Sequence, residues 1–345
     1  MRSQLPMKAL IALSLLSPLA AIPANTTLTL VSDPNFNKVT VTVNPGPFLS
    51  DTETTTLTGT VQAFFDINPG NGQTTELTLL NGRAKGTNMT FSRSFFGAGY
   101  NITVSNLSAA INTITPPGVV TPANGQFAAN QHGFEIDQGS VNGTALGDQV
   151  NTSFTPQNPA SGTGTGTGTV VLTAAGDTGI YRNYTVTATF PVSIADTFLA
   201  GTTSVAITAT GTVKATGTLQ VPRTAYLAWT IAQNIPNAPF NGDPNGDGVS
   251  NGLLWALGLN ANSDPRPHLP RSNPAAPGGF LVPLPAGGSG GPILIQSSPH
   301  LGTWSPATAV SPVANPIPTG TSGNVTIAPD GSPRRFVRLL VTEPL

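Results

Sequence analysis

The sequence predicts an all-β protein, on three observations. Gly (38) and Pro (33) together exceed a fifth of the 345 residues, a composition rich in turns and poor in helix formers. From Asn25 to Pro222 apolar and polar residues alternate with period two, the mark of antiparallel strands with one buried and one wet face. Threonine fills most of the polar positions; its branched Cβ suits a pleated sheet while its hydroxyl faces water. The length suits two domains and a connector better than one core. We therefore expect an antiparallel β-sandwich or half-barrel over residues 25–223, a short helix–calcium-loop–helix connector over 224–262, and a Pro/Gly-rich linker with a small C-terminal β domain over 263–345.

Charge and cysteine content remove several function classes. Only 8% of residues are charged and the net charge is −1, so no basic patch is present to neutralise phosphates and nucleic acid is not an expected partner. There are no cysteines, which excludes disulfides, thiolate metal sites and cysteine nucleophiles. A bound cation is the remaining local staple.

The elements follow in chain order. Arg2 and Lys8 precede an apolar run, Ala9 to Ala21, with small residues at Ala20, Ala21 and Ala24. That is the pattern of a cleaved secretory signal peptide over residues 1–24, too short to span a bilayer comfortably and leaving no transmembrane segment once removed. Leu57, Gly59, Val61, Ala63, Phe65 and Ile67 then share one strand face. Tyr184 to Ile194 and Val205 to Val221 repeat the pattern against threonines. Gly211 and Gly217 mark expected bulges or bends in the last of these. A membrane barrel would need aromatic girdles and lipid-facing bands of large residues, whereas aromatics are 6% here. Ser161 to Thr169, a Gly/Thr repeat, is expected to form a flexible loop or the frayed start of a strand, and Thr115 to Gly125 a loop.

Past Pro222 the period changes. Thr224 caps an expected helix from Ala225 to Asn234, and a second begins near Ser250 and ends at Gly258. Between them, Asp243, Asn245, Asp247 and Asn251 place side-chain oxygens at the first, third, fifth and ninth positions of a calcium loop. Val249 offers its carbonyl at the seventh, and Gly248 supplies the sixth-position turn. The twelfth position, where an EF-hand carries a bidentate glutamate, is Leu254. Two carboxylates without a bidentate partner imply weak calcium binding, about 10⁻⁴ to 10⁻³ M. Strands are then expected at Phe280–Val282, Pro292–Ser298, Thr303–Trp304, Asn324–Ile327 and Arg335–Val341.

Other chemistry-bearing patterns are weaker. Gly287-Gly288-Ser289-Gly290-Gly291 matches G-x-S-x-G but lacks the strand and helix a nucleophile elbow needs. His132, His268 and His300 have no zinc-site spacing, and His132, in Asn-Gln-His-Gly, is most simply a turn residue. Glu135 and Asp137 lie on one strand face. They form the one candidate pair for hydrolysis, though a solvated strand edge is the simpler explanation, since acidic residues two apart on a strand are ordinary surface.

The segment Leu227-Ala228-Trp229, Gly242 to Gly258, and the tail Ile295 to Ser298 with Trp304 and Arg334 to Leu339 resemble a known arrangement. They are similar to secreted proteins of Gram-negative bacteria that carry a thrombospondin-type-3 or EF-hand-like calcium-loop segment followed by a C-terminal β module. The resemblance covers about residues 224–345 and implies an extracellular or cell-envelope location more than an activity. The expectation is thus an exported, non-enzymatic structural or surface-associated protein. Its alternatives are an extracellular carbohydrate-binding or adhesion module, partnered by polysaccharide or surface protein, and a secreted hydrolase.

Overall fold

A computed structural model of the protein describes residues 21–33, 35–44, 49–68, 71–200, 203–243 and 245–344. The expected signal peptide lies almost wholly outside the described residues; Ile22, Pro23 and Ala24 already belong to the first strand. The chain divides into two compact units, Ala21–Arg223 and the part from Thr224 onward. Both are built mainly from antiparallel strands, as the alternation predicts.

The first unit contains β1 (Ile22–Leu30), β2 (Lys38–Asn44), β3 (Asp51–Ile67), β4 (Thr74–Gly86), β5 (Met89–Phe95), β6 (Ala98–Thr113), β7 (Gln126–Ala128), β8 (His132–Ala145), β9 (Asp148–Phe154), β10 (Ala160–Gly164), β11 (Thr167–Thr178), β12 (Tyr181–Ala200) and β13 (Thr203–Pro222). The pairing runs β13-β2-β3-β4-β6-β8-β10-β12, and β12 pairs β13 again from Ala200↔Thr203 to Tyr181↔Pro222. The sheet therefore closes into a barrel, where the sequence suggested a sandwich or half-barrel. Closure is possible because β3, β12 and β13 are long enough to hold two partners in succession. In the upper half β2 lies between β13 and β3, and β10 lies beside β12. In the lower half β1 replaces β2, and β11 replaces β10.

Asn37 occupies the junction where β13 exchanges β2 for β1. Fully buried, its amide donates to the carbonyls of Val31 and Lys214, each at 2.7 Å, and its Oδ1 accepts the Lys214 N–H at 2.9 Å. One side chain thus satisfies backbone groups that the interrupted ladder leaves open.

The faces separate as expected. Along β13, Val205, Val213, Ala215, Leu219 and Val221 are buried while Thr208, Thr210 and Thr218 are exposed. Apolar inside and hydroxyl outside is the reverse of a barrel that faces lipid. Among the described residues no helix is long and apolar enough to cross a membrane. One expectation changes. The β12–β13 register is unbroken at Gly211 and Gly217, so neither marks a bulge. Both instead allow close approach of a neighbouring strand: a Cβ would lie 2.5 Å from the Lys38 carbonyl oxygen at Gly211 and 2.6 Å from that of Thr27 at Gly217. Of the two forms expected for the Gly/Thr repeat, the strand is the one found, interrupted only at residues 165–166. The repeat supplies β10 and the start of β11, with Gly168 directly against the Phe127 ring.

The second unit holds α1 (Ala225–Ala232) and α2 (Asn251–Ala256), then β14 (Arg271–Ser272), β15 (Phe280–Leu284), β16 (Leu294–Ser298), β17 (Ser305–Pro306), β18 (Val310–Ser311), β19 (Gly323–Ile327) and β20 (Phe336–Leu340). They form sheets β14-β15-β19-β18 and β17-β16-β20. Thr224 and Ser250 cap the helices, each accepting the N–H three residues on. Tyr226 of α1, Phe240 and Trp255 of α2 share one core with Val282, Ile293, Ile295, Ile317, Val325 and Ile327. The helix–loop–helix segment is thus packed into the C-terminal β module instead of standing apart as a connector, because its three aromatic side chains cover that module's apolar face.

Candidate cation-binding loop

Phe240 and Trp255 bracket the acidic loop, and their rings lie 6.2 Å apart in the same core. Core packing therefore fixes both ends of the segment before any ligand is considered. Between them the chain turns through Gly246 and Gly248, at φ +68° and +84°, conformations that glycine adopts at no steric cost.

The expected ligand side chains turn onto the loop itself. Asp243 accepts the N–H of Asp247 at 3.2 Å and of Gly248 at 2.8 Å. Asp247 accepts the Val249 N–H at 2.8 Å and the Asn245 amide at 2.9 Å. A carboxylate oxygen that accepts one N–H keeps a second lone pair for a cation. These residues are exposed; Asn251 is 1% exposed. Its Nδ2 donates to the Pro239 carbonyl at 3.1 Å, which fixes the amide's orientation, and its Oδ1 is buried without a partner. A buried, unpaired acceptor is costly unless something fills it. Asp243, Asn245, Asp247, the Val249 carbonyl and Asn251 thus fit a hard cation in donor chemistry. Leu254, at the twelfth position, is fully buried and offers no oxygen. Among the described residues no group of three His, Cys, Asp or Glu side chains could hold a metal, so an ion here would have at most two carboxylates, completed by amide and backbone oxygens.

The remaining candidates do not converge. Asp137 makes a bidentate pair with Arg83, one arm at 2.9 Å. The guanidinium hydrogen bonds hold its carboxyl below the ordinary range, whereas a general acid needs its pKa raised. Glu135, exposed on the same face, has no matching partner for hydrolysis. Ser289 is buried with its hydroxyl donating to the Pro318 carbonyl at 2.9 Å, and its glycine loop packs on the Trp255 ring. His268 sits 2.9 Å from the Pro283 carbonyl, and His300 accepts the Gly302 N–H.

His132 is not a turn residue. It opens β8 inside the barrel, 1% exposed, with its ring 5.1 Å from Phe127 and 5.9 Å from Phe190. Its period-two phase with Phe134 and Ile136 was the available signal. A second feature escaped the sequence: Phe96 forms the β5–β6 hairpin tip with Gly97, at φ +47°, and is 95% exposed beside Phe95. In comparisons with known proteins, the chain matches no family model, no curated protein and no solved structure.

Proposed function

We propose that this is an exported, non-enzymatic β protein of the cell envelope or exterior, whose C-terminal module is stapled by a weakly bound calcium ion. Asp243, Asn245, Asp247, the Val249 carbonyl and Asn251 hold the ion. The observation that carries this is the buried Asn251 Oδ1 with no partner, in a loop whose two carboxylates also fold back onto its own backbone. A chain without cysteines gains from such a staple what a disulfide would otherwise supply. In ~10 mM calcium, a site of about 10⁻⁴ to 10⁻³ M stabilises the folded state by about 1 to 3 kcal/mol. The measurement is a thermal melt with calcium and with chelator. Asp247→Ala should abolish the shift, while Asp264→Asn, outside the loop, should keep it. Superimposed wild-type melts would refute the staple.

Attachment to polysaccharide is the alternative that one observation favours. Phe96, held exposed in a left-handed turn that costs a non-glycine residue energy, offers the aromatic face for a sugar ring. Pull-down on insoluble polysaccharide should lose at least half its retained protein on Phe96→Ser. Equal retention of the two proteins would remove this alternative.

A further inference from the structure

We propose that the outer edge of β20 pairs with β20 of a second copy of this chain, antiparallel and about a two-fold axis at Leu339. The strand lies at the border of the sheet β17-β16-β20 and has one neighbour, β16. Which backbone groups that neighbour uses follows from Ile295, within β16. The Ile295 N–H donates to the Asn315 Oδ1 at 2.9 Å, and its carbonyl accepts the Asn315 amide and the Ala307 N–H, each at 2.8 Å. Ile295 is thus turned away from β20. Leu294, Gln296 and Ser298 face it instead, opposite Leu340, Arg338 and Phe336. Bonded and non-bonded positions alternate along an antiparallel strand, so the N–H and C=O groups of Val337 and Leu339 point outward. Among the described residues none of these four groups has a hydrogen-bond partner.

Exposed sheet edges usually carry a guard: an outward lysine, a proline or a bulge. β20 has none. Its register with β16 is unbroken, and Pro333 and Pro344 stand outside it. Its one charge is drawn back across the sheet, where Arg338 lies 4.2 Å over the Trp304 ring and donates to the Gln296 Oε1 at 2.9 Å. Phe336 and Leu340, on the same face as Arg338, are 39% and 40% exposed. An unguarded apolar edge is a template for another strand.

The strand that suits this edge is its own copy. A two-fold at Leu339 sets Leu339 against Leu339 and Val337 against Val341, so each outward-pointing residue meets another. Arg338 then stands opposite the apolar Leu340, and Glu343 comes to the end that carries Arg334 and Arg335 of the second copy. Moving the axis to Arg338 sets the two guanidinium groups against each other, which is destabilising. Moving it to Leu340 leaves Val337 opposite Glu343, outside the strand. The pairing uses no residue of the calcium loop and does not rest on it.

The test is sedimentation velocity of the full chain from ~5 to ~500 µM, a range suited to a small, transient interface, with amide hydrogen exchange read at both ends. The weight-average mass should rise toward that of a dimer, and the Val337 and Leu339 amides should exchange several-fold more slowly in the concentrated sample. Leu340→Lys sets a lysine opposite Arg338 twice in each dimer and should weaken association about tenfold. Leu340→Glu, opposite the same arginine, should leave it within about threefold of the wild type. Should either variant melt below the wild type, exchange of the wild-type amides decides alone. A single monomeric mass at every concentration overturns the self-pairing, whether or not a strand of another protein takes the edge. Association that leaves the Val337 and Leu339 amides unprotected overturns this edge as the contact. Equal weakening by Leu340→Lys and Leu340→Glu overturns the register.

Discussion

Gly59→Ala is expected to destabilise the barrel domain by about 4 kcal/mol, among the largest effects of any single methyl group in the chain. Gly59 lies where β3 passes from one partner to the next. Residues 51–56 pair with β2, and residues 60–67 pair with β1. On the other side the register with β4 shifts between Thr60 and Gln62. The strand bends at this handover, and Gly59 takes φ +152°, a region open essentially to glycine. A Cβ here would also fall inside the van der Waals envelope of the Arg83 carbonyl oxygen on β4. Backbone strain of 1–3 kcal/mol and overpacking of 1–3 kcal/mol act on the same residue, so about 4 kcal/mol is the sum of two mid-range terms. Chemical denaturation checks it. A contrasting substitution is Gly147→Ala, which has open space around it but also a positive φ, +92°. It carries the strain without the clash and should cost about 1 to 2 kcal/mol. Equal losses at the two positions would show that the close approach to β4 is not what Gly59 accommodates.

This handover shows why some of the fold could be read from the chain and some could not. Alternation along β3, β12 and β13 gives the strands and their inward faces, because the period depends only on local geometry. Closure depends instead on which strand each edge meets, and the Val/Thr pattern of β13 is the same whether its neighbour is β1 or β2. Asn37 illustrates the limit: an asparagine before a strand looks like turn material, yet it completes the ladder at the partner change. Gly211 and Gly217 were visible as exceptions, but their cause, a close neighbouring backbone, is a tertiary fact. The candidate cation loop was visible as a motif because its oxygen-bearing residues are adjacent in sequence. The space inside the barrel was not, since its walls come from ten of the thirteen strands.

His132 should make the barrel domain lose about 2 to 3 kcal/mol of stability between pH 7 and pH 4.5. The imidazole is 1% exposed among Phe127, Phe190 and Thr113, and burial pushes its pKa from 6.5 down to about 4. No charged group contributes to that depression. The Thr113 hydroxyl oxygen, 3.0 Å from Nδ1, already accepts the Leu79 N–H, and Nε2 has no partner. Protonation therefore places an uncompensated charge inside an aromatic cluster. The sign follows from linkage. Between about 6.5 and 4 the unfolded chain binds a proton that the folded chain refuses, so stability is complete above the unfolded pKa and declines as pH falls toward the folded one. Asp66 works the other way, since burial, and then Glu76, pushes its carboxyl up and favours the folded state as acid protonates it. The difference between wild type and His132→Phe cancels that contribution. The variant's urea-derived stability should be flatter over pH 7 to 4.5 by about 2 to 3 kcal/mol, whatever its absolute value. Parallel pH profiles for the two proteins would mean that the buried imidazole accepts its proton without cost, and that its burial among the aromatic rings does not set its titration.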